Sequence, residues 1–321
     1  MTQFSIRVAS FNTLNLVTPE QDYYQRERYS VAAYKSKVRW SRHQLHRMMS
    51  DVVVFQEIFN MSALEDICKN IYPHILAPRT DENEPRIGMA SLLELDSWKS
   101  FAKMNDGTPF RRPPLYACYN MPNGEKLGIL GVHLKSRRPL FIDSESTHKA
   151  EDKITATARS LELRSREAQS IRRLAIDLAN THPLLIVGDF NSSPEAITTQ
   201  MIIGPCGSNT EHHFRMARNT KLGQGPLNQP YSHLYKGRYE EIDLILCSDH
   251  FFQPESPIRL KHVRYFTDHL VDKSMGQQQN PLSQQQQKES PFSDMADMME
   301  QASDHGQIVA TFTSLLPHKH K

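Results

Sequence analysis

No stretch of this 321-residue chain reaches the roughly 18 consecutive apolar residues of a membrane-spanning helix. Its first residues, MTQFSIRVASFN, lack the basic segment and apolar core of a secretory leader. The expectation is a soluble, cytoplasmic protein. The four cysteines, Cys68, Cys118, Cys206 and Cys247, include no Cys-x-x-Cys pair, which argues against a zinc knuckle or a disulfide framework and for reduced thiols. There is no excess of one charge either. Lys and Arg total 38 against 36 Asp and Glu, so the formal +2 creates no global field for a polyanion, and any nucleic-acid contact must be local. A glycine-rich phosphate loop and an internal repeat are also missing.

What the chain does have is a series of short apolar runs rich in β-branched and aromatic residues. They predict strands at 6–11, 51–58, 89–95, 127–134, 183–190, 242–248, 259–266 and 306–312. Several are apolar on both faces, so helices or a second sheet must cover them. The clearest helical pattern runs from about Ser146 to Asn180, with Leu161, Ala168, Ile171, Leu174, Ala175 and Leu178 at helical spacing. Strands interleaved with helices indicate a layered α/β fold. The stretch 275–290, GQQQNPLSQQQQKES with its preceding Met275, has too few large apolar residues to offset its ordering entropy and predicts a mobile loop. The residues after it are too few for an independent core, so it is not expected to link two domains.

The run LLIVGDFNSSP carries the strongest chemical signal. Asp189 and Asn191 are two apart at the carboxyl end of a buried strand, hence on one face, and Pro194 prevents regular continuation. An acid and an amide aimed together can hold a water, a metal-bound oxygen or a phosphate; alternatively, they simply cap the turn. Asn12, Glu57 and His133 end or interrupt other apolar strands in the same way. Polar groups buried without partners are costly, so their joint occurrence is best explained by convergence on one charged ligand.

The ordered motifs FN, QE, VHLKSRRP, GDFN, EEIDLILCS and SDHGQ, from Asn12 to His305, resemble the endonuclease/exonuclease/phosphatase superfamily, and the wording is most similar to its bacterial members. The resemblance implies a single domain over 1–321, built as a four-layer sandwich of two packed mixed β-sheets flanked by helices. It also implies a metal-dependent phosphoesterase, with Glu57, Asn12 and Asp304 on the metal side and Mg²⁺ or Mn²⁺ as cofactor. Asp189 and Asn191 would orient the attacking water and the phosphoryl oxygens. Asn12, His133 and Arg112 would contact the phosphate, with Arg111 competing for the last assignment. His305 would meet the phosphate, oriented by Asp243.

A second Asp-His pair, Asp268 and His269, also ends a strand, but low complexity follows it, whereas His305 leads into GQIVATF, whose Ile308, Ala310 and Phe312 share one face. Lys135, Arg137 and Arg138 form a basic rim or a solvated turn. His212, His213 and the tail PHKHK read as solvated, and Phe4, Phe11, Phe55 and Phe190 as core rather than as a base-stacking platform. The expected activity is hydrolysis of a phosphodiester by in-line attack of water, with nucleic acid the first choice of substrate and partner. A phosphomonoesterase acting on an inositol phosphate or other small ester is an alternative, weakened because GRYEEIDLIL stands where that branch carries a PxWCDRIL-like motif. A non-catalytic binding protein is the other alternative, and the full set of polar strand ends disfavours it.

Overall fold

The computed structural model describes residues 3–24, 27–79, 84–141, 152–205, 213–218, 230–253, 255–270 and 298–315. The predicted loop at 275–290, Cys206, His212 and the tail after 315 lie outside these residues. Cys68, Cys118 and Cys247 are free and buried. Among the described residues no helix is long and apolar enough to cross a membrane.

Two six-stranded sheets make the frame. The first holds β1 (Gln3–Leu16), β2 (Val52–Ile58), β3 (His74–Leu76), β4 (Arg86–Ser91), β13 (Ile258–Phe266) and β14 (Gln307–Leu315), in the order β13-β14-β1-β2-β4-β3. The second holds β5 (Leu95–Ser100), β6 (Leu115–Asn120), β7 (Lys126–His133), β8 (Leu184–Asp189), β9 (Arg215–Met216) and β12 (Asp243–Cys247), in the order β5-β6-β7-β8-β12-β9. Each sheet is mixed: β1 runs parallel to β2, and β7 parallel to β8, among antiparallel neighbours. A separate hairpin joins β10 (His233–Tyr235) to β11 (Arg238–Glu240).

Period-two alternation divides each strand between two cores. Inward residues such as Val8, Val54, Ile129, Val187, Ile245 and Ala310 meet those of the facing sheet. Outward residues of the first sheet, such as Phe11, Val53 and Phe55, pack against α1 (Val31–Met48) and α2 (Met61–Cys68). Those of the second, such as Leu130, Ile186 and Leu246, pack against α3 (Lys153–Ala179) and α4 (Ile197–Ile203). The result is the expected four-layer sandwich, helix-sheet-sheet-helix. Phe11, Phe55 and Phe190 are fully buried, and Phe4 packs against the inter-sheet core, as their strand positions required.

Two readings of the sequence need correction. The run 89–95 is not one strand. It finishes β4, turns at Leu92 to Glu94 and opens β5 in the other sheet, so a mostly apolar run concealed a crossing between layers. The long helix begins at Lys153 rather than near Ser146, because the Asp152 carboxylate accepts from the backbone N–H groups of Ile154 and Thr155 and caps it there.

Candidate functional site

The inward series of several strands turn polar at the same end of the sandwich. On β1, Ile6, Val8 and Ser10 lead to Asn12; on β7, Leu127 and Ile129 lead to His133; on β8, Leu185 and Val187 lead to Asp189. β12 runs antiparallel to β8 and therefore starts where β8 ends. Register places His133 beside Asp189, and Asp189 beside Asp243, across three adjacent strands. β14 is antiparallel to β1, so Asp304 and His305, just before it, arrive where β1 ends. Gly188 permits the close approach of β7 and β8, since a Cβ there would collide with the Val132 carbonyl oxygen.

Glu57 reaches the site by a different route. Strict alternation would send it outward with Val53 and Phe55. The β1–β2 ladder shifts register after Asn12 and Gln56, and Glu57 adopts left-handed backbone with φ 64°. Such a conformation costs a non-glycine residue on the order of 1–3 kcal/mol and is typical of functional sites. Its Oε2 accepts from the Asn15 N–H at 3.0 Å, and its Oε1 lies 3.4 Å from Asn12 Nδ2. Asn191 is also left-handed, with φ 50°. This turn directs its side chain back: Nδ2 donates to the Leu134 carbonyl at 2.9 Å and to Asp189 Oδ2 at 3.2 Å, while its backbone N–H donates to Asp189 Oδ1 at 2.7 Å.

Asp189 lies at the centre of this cluster, 1 % exposed. Its Oδ2 accepts from Asn12 Nδ2 at 3.1 Å and lies 3.5 Å from His133 Nε2 and 4.0 Å from His305 Nε2. Burial pushes its carboxyl up to about 7; His305 opposes the shift, and Asp243 and Glu57 add to it. His305 Nδ1 donates to Asp243 Oδ2 at 2.8 Å. Burial disfavours charge on His305, yet Asp243, Asp189 and Asp304 together hold its imidazole well above the usual range. His133 is the opposite case. Burial, then Arg112 and His305, hold it well below, so it is a neutral imidazole.

The loop carrying His305 is pinned by backbone and side-chain bonds. Ser303 Oγ donates to the Asn12 carbonyl at 2.8 Å and accepts from the His305 N–H at 3.0 Å. Beneath it, His269 Nε2 donates to the His305 carbonyl at 2.9 Å, and its ring meets Trp40 edge-on at 5.1 Å. Asp268 instead pairs with Arg47 at the surface. The second Asp-His pair is thus split, one member bracing His305 and the other outside.

Arg112 borders His133. Its Nη1 donates to the Leu134 carbonyl at 3.4 Å, its Nε is buried without a partner, and Tyr24 is hydrogen-bonded to it. Arg111 is exposed nearby. Lys135 is not a rim residue. It is 5 % exposed, and its Nζ donates to the carbonyls of Ser136 and Arg138 and to Ser160 Oγ. Burial and the adjacent Arg111, Arg112 and Arg164 pull its ammonium down to about 8. Arg137 and Arg138 are both exposed, and Arg137 pairs with Glu240 on the hairpin. His213 is half-buried rather than solvated, with Nδ1 3.1 Å from the Gly204 carbonyl.

His233 is a residue that the motifs did not point to. The β10–β11 hairpin turns through left-handed Lys236 and Gly237 and places the His233 ring 4.6 Å from that of His305, with Nε2 3.8 Å from Asp304 Oδ2. Burial works against ionisation of Asp304, but His233 and His305 beside it keep its carboxyl below the usual range. Its Oδ1 is buried without a hydrogen-bond partner, 3.9 Å from His305 Nε2. Among the described residues two groups bring ligand atoms within 4.8 Å of one another, His233 with Asp304 and His305, and Asp189 with Asp243 and His305; Glu57, joined to Asn12, belongs to neither, and the carboxylate oxygens of Asp304 and Asp189 are donors of the kind a hard divalent cation takes.

Comparison with known proteins agrees with this architecture. A structure of humanized D. rerio TDP2 superposes with a TM-score of 0.59 at 14 % identity, covering 96 % of this chain and 98 % of that one. The human Nocturnin catalytic domain with bound sulfate anion gives 0.59 at 14 %, covering 97 % and 95 %. An AP endonuclease from Archaeoglobus fulgidus gives 0.54 at 13 %, covering 95 % and 98 %. No curated protein sequence matches significantly. At these identities the superpositions establish the fold, and the sequence itself carries the assignment: the model of the Endonuclease/Exonuclease/phosphatase family matches residues 9–305, and the chain belongs to that family.

Proposed function

We propose that the protein hydrolyses a phosphodiester, with nucleic acid the first choice of substrate, by in-line attack of water at the cluster around Asp189. The observation that carries this reading is the pairing of oppositely tuned groups. Asp189 is a buried carboxyl raised to about 7, while His305 is held as an imidazolium within 4.0 Å of it by Asp243. Groups pushed apart in this way can divide acid and base work. The cationic His305 has no free lone pair, so Asp189 is the group that takes the proton of the attacking water.

Asn191 and Asn12 both donate to Asp189 Oδ2 and so orient the carboxylate for a phosphoryl group beside it. Neutral His133 and Arg112 border the same space and supply donors to non-bridging oxygens. His305 stabilises the charge that develops as the phosphorus–oxygen bond to the leaving group breaks. Glu57, Asp304 and Asn12 would hold the divalent ion, which when bound supplies positive charge to the phosphoryl and departing oxygens. A phosphodiester rather than a small monoester is favoured by Arg112 beside His133 and the exposed Arg111 next to it, two cations suited to backbone phosphates. The AP endonuclease among the structural relatives points the same way.

The test uses purified protein with Mg²⁺ or Mn²⁺, a single-stranded oligonucleotide, a model phosphodiester and a model phosphomonoester. Cleavage of the diesters should vanish with chelator and fall by about 10²- to 10⁴-fold in Asn191→Ala and His305→Ala. Diester turnover that survives both substitutions would refute the site. Turnover confined to the monoester would replace the substrate class.

A further inference from the structure

The core face of α3 changes character along its length. Ser160, Arg164, Glu167, Ile171, Ala175 and Ala179 recur at helical spacing, and all of them are buried. The last three are apolar, as a helix lying on a sheet requires. Before them stand a guanidinium 6 % exposed and a carboxylate 2 % exposed. Ionic groups in a core stabilise no better than apolar side chains of similar volume, so packing alone does not account for them.

Their hydrogen bonds go to the two connections that leave β7 and β8. Glu167 Oε2 accepts from the backbone N–H of Lys135 at 2.9 Å, and Ser160 Oγ accepts from Lys135 Nζ at 3.0 Å. Lys135 stands two residues after His133, and Leu134 between them supplies the carbonyl that receives Asn191 Nδ2 at 2.9 Å. On the other side, Arg164 Nη2 donates to Ser192 Oγ, with Thr198 Oγ1 at 3.3 Å and the Asn191 carbonyl at 3.4 Å. The Ser192 and Thr198 hydroxyls are themselves 3.1 Å apart, so one guanidinium ties the Asn191 turn to the start of α4.

Arg164 and Glu167 are neighbours on one face of a continuous helix, three residues apart. The helix therefore fixes the spacing between the peptide it holds beyond β7 and the peptide it holds beyond β8. That spacing decides whether the side chain of left-handed Asn191 can reach the Leu134 carbonyl and Asp189 Oδ2 together.

We propose that Arg164 and Glu167 are a positioning pair, through which α3 clamps the exits of β7 and β8 and holds the Asn191 amide against Leu134 and Asp189. They act through Asn191 and Asp189 rather than on substrate. The clamp is a property of the fold alone; only its effect on rate rests on the function proposed above.

The direct test is NMR of protein labelled with ¹⁵N-asparagine, the Asn191 side-chain signal being identified by its loss in Asn191→Ala. In Arg164→Met this amide should exchange with solvent about tenfold faster than in the parent. Ile171→Val, on the apolar part of the same stripe, should leave it unchanged. An Asn191 signal unaffected by Arg164→Met, or affected equally by Ile171→Val, would overturn the proposal. Glu167→Leu should expose the Lys135 backbone amide to exchange, whereas Glu167→Gln keeps an acceptor and should restore its protection; equal effects of the two would also overturn it. If Arg164→Met does not fold, Arg164→Lys is read in the same way. On a model phosphodiester, Arg164→Met should lower kcat about tenfold at unchanged KM, and an unchanged kcat would refute the positioning role. Absence of any phosphoester cleavage by the parent would remove the function proposed above and leave the NMR result to decide the clamp.

Discussion

Asp243→Asn offers a sharp probe of the site, because it removes one charge and almost no volume. Asp243 is fully buried, and its Oδ2 accepts from His305 Nδ1 at 2.8 Å. A hydrogen bond to a charged group contributes about 1.5–3 kcal/mol, and breaking a buried ion pair costs about 3–5 kcal/mol, so a loss near 3 kcal/mol is expected. With an unfolding entropy of about 2.1 cal/mol/K per residue over 321 residues, that corresponds to a Tm lower by about 4–5 °C. The loss must depend on pH with a definite sign. The folded pKa of His305 is raised, so the pair's stabilisation is fully present below the unfolded histidine value near 6.5 and disappears as pH rises through the folded value. The gap between parent and variant should therefore be widest between about pH 5 and 6.5 and close towards alkaline pH. Urea unfolding in chelator across this range measures it, and an NMR titration of the His305 ring should show its protonation shifted to lower pH in the variant. A gap that widens with rising pH, or an unchanged ring titration, would refute the ion pair as the source of the imidazolium.

Three further outcomes follow from the geometry. The parent's hydrolysis rate should rise with pH through about 7 as Asp189 ionises, and Asp189→Asn should lose both this rise and about 10²- to 10⁴-fold in rate; a parent profile that stays flat from pH 5 to 8 would exclude Asp189 as base. Gly188→Ala should fold poorly or not at all, because its Cβ meets the Val132 carbonyl, and soluble protein with an unchanged Tm would contradict the packing of β7 on β8. His269→Ala should lower kcat with little change in KM, as the His305 backbone loses its brace; an unchanged kcat would confine His269 to packing.

The parts of this site that obey strand alternation were legible in the sequence. His133 and Asp189 occupy inward positions of predicted strands and Asn12 follows one, so their convergence agreed with period two and a two-sheet frame, whereas Asp243 was reached only through the resemblance. Glu57 stood out as a polar strand end, but only family resemblance gave it a metal-side role, since a register shift and a left-handed residue, not alternation, bring it inward. His233 was invisible because a short hairpin, partly buried and weakly patterned, delivers it across the cleft. The helix α1 was obscured for a related reason. Ser36, Lys37, Ser41 and Gln44 lie on its buried face, and polar residues there erase the apolar stripe by which a helix is recognised. Lys135 misled in the other direction, since a lysine in a charged turn looks solvated until Ser160 of α3 is seen beside its Nζ.

β14 is an interior strand, seated between β13 and β1, and His305 stands immediately ahead of it. During synthesis the ribosome delivers this piece last among the described strands, long after its neighbours have emerged. Until then the first sheet has a vacant slot bounded by two adhesive edges, and neither Asp304 nor His305 can take its place. Until residues 304–315 arrive, the cluster around Asp189 lacks both Asp304 and His305, and β1 and β13 keep unpaired edges.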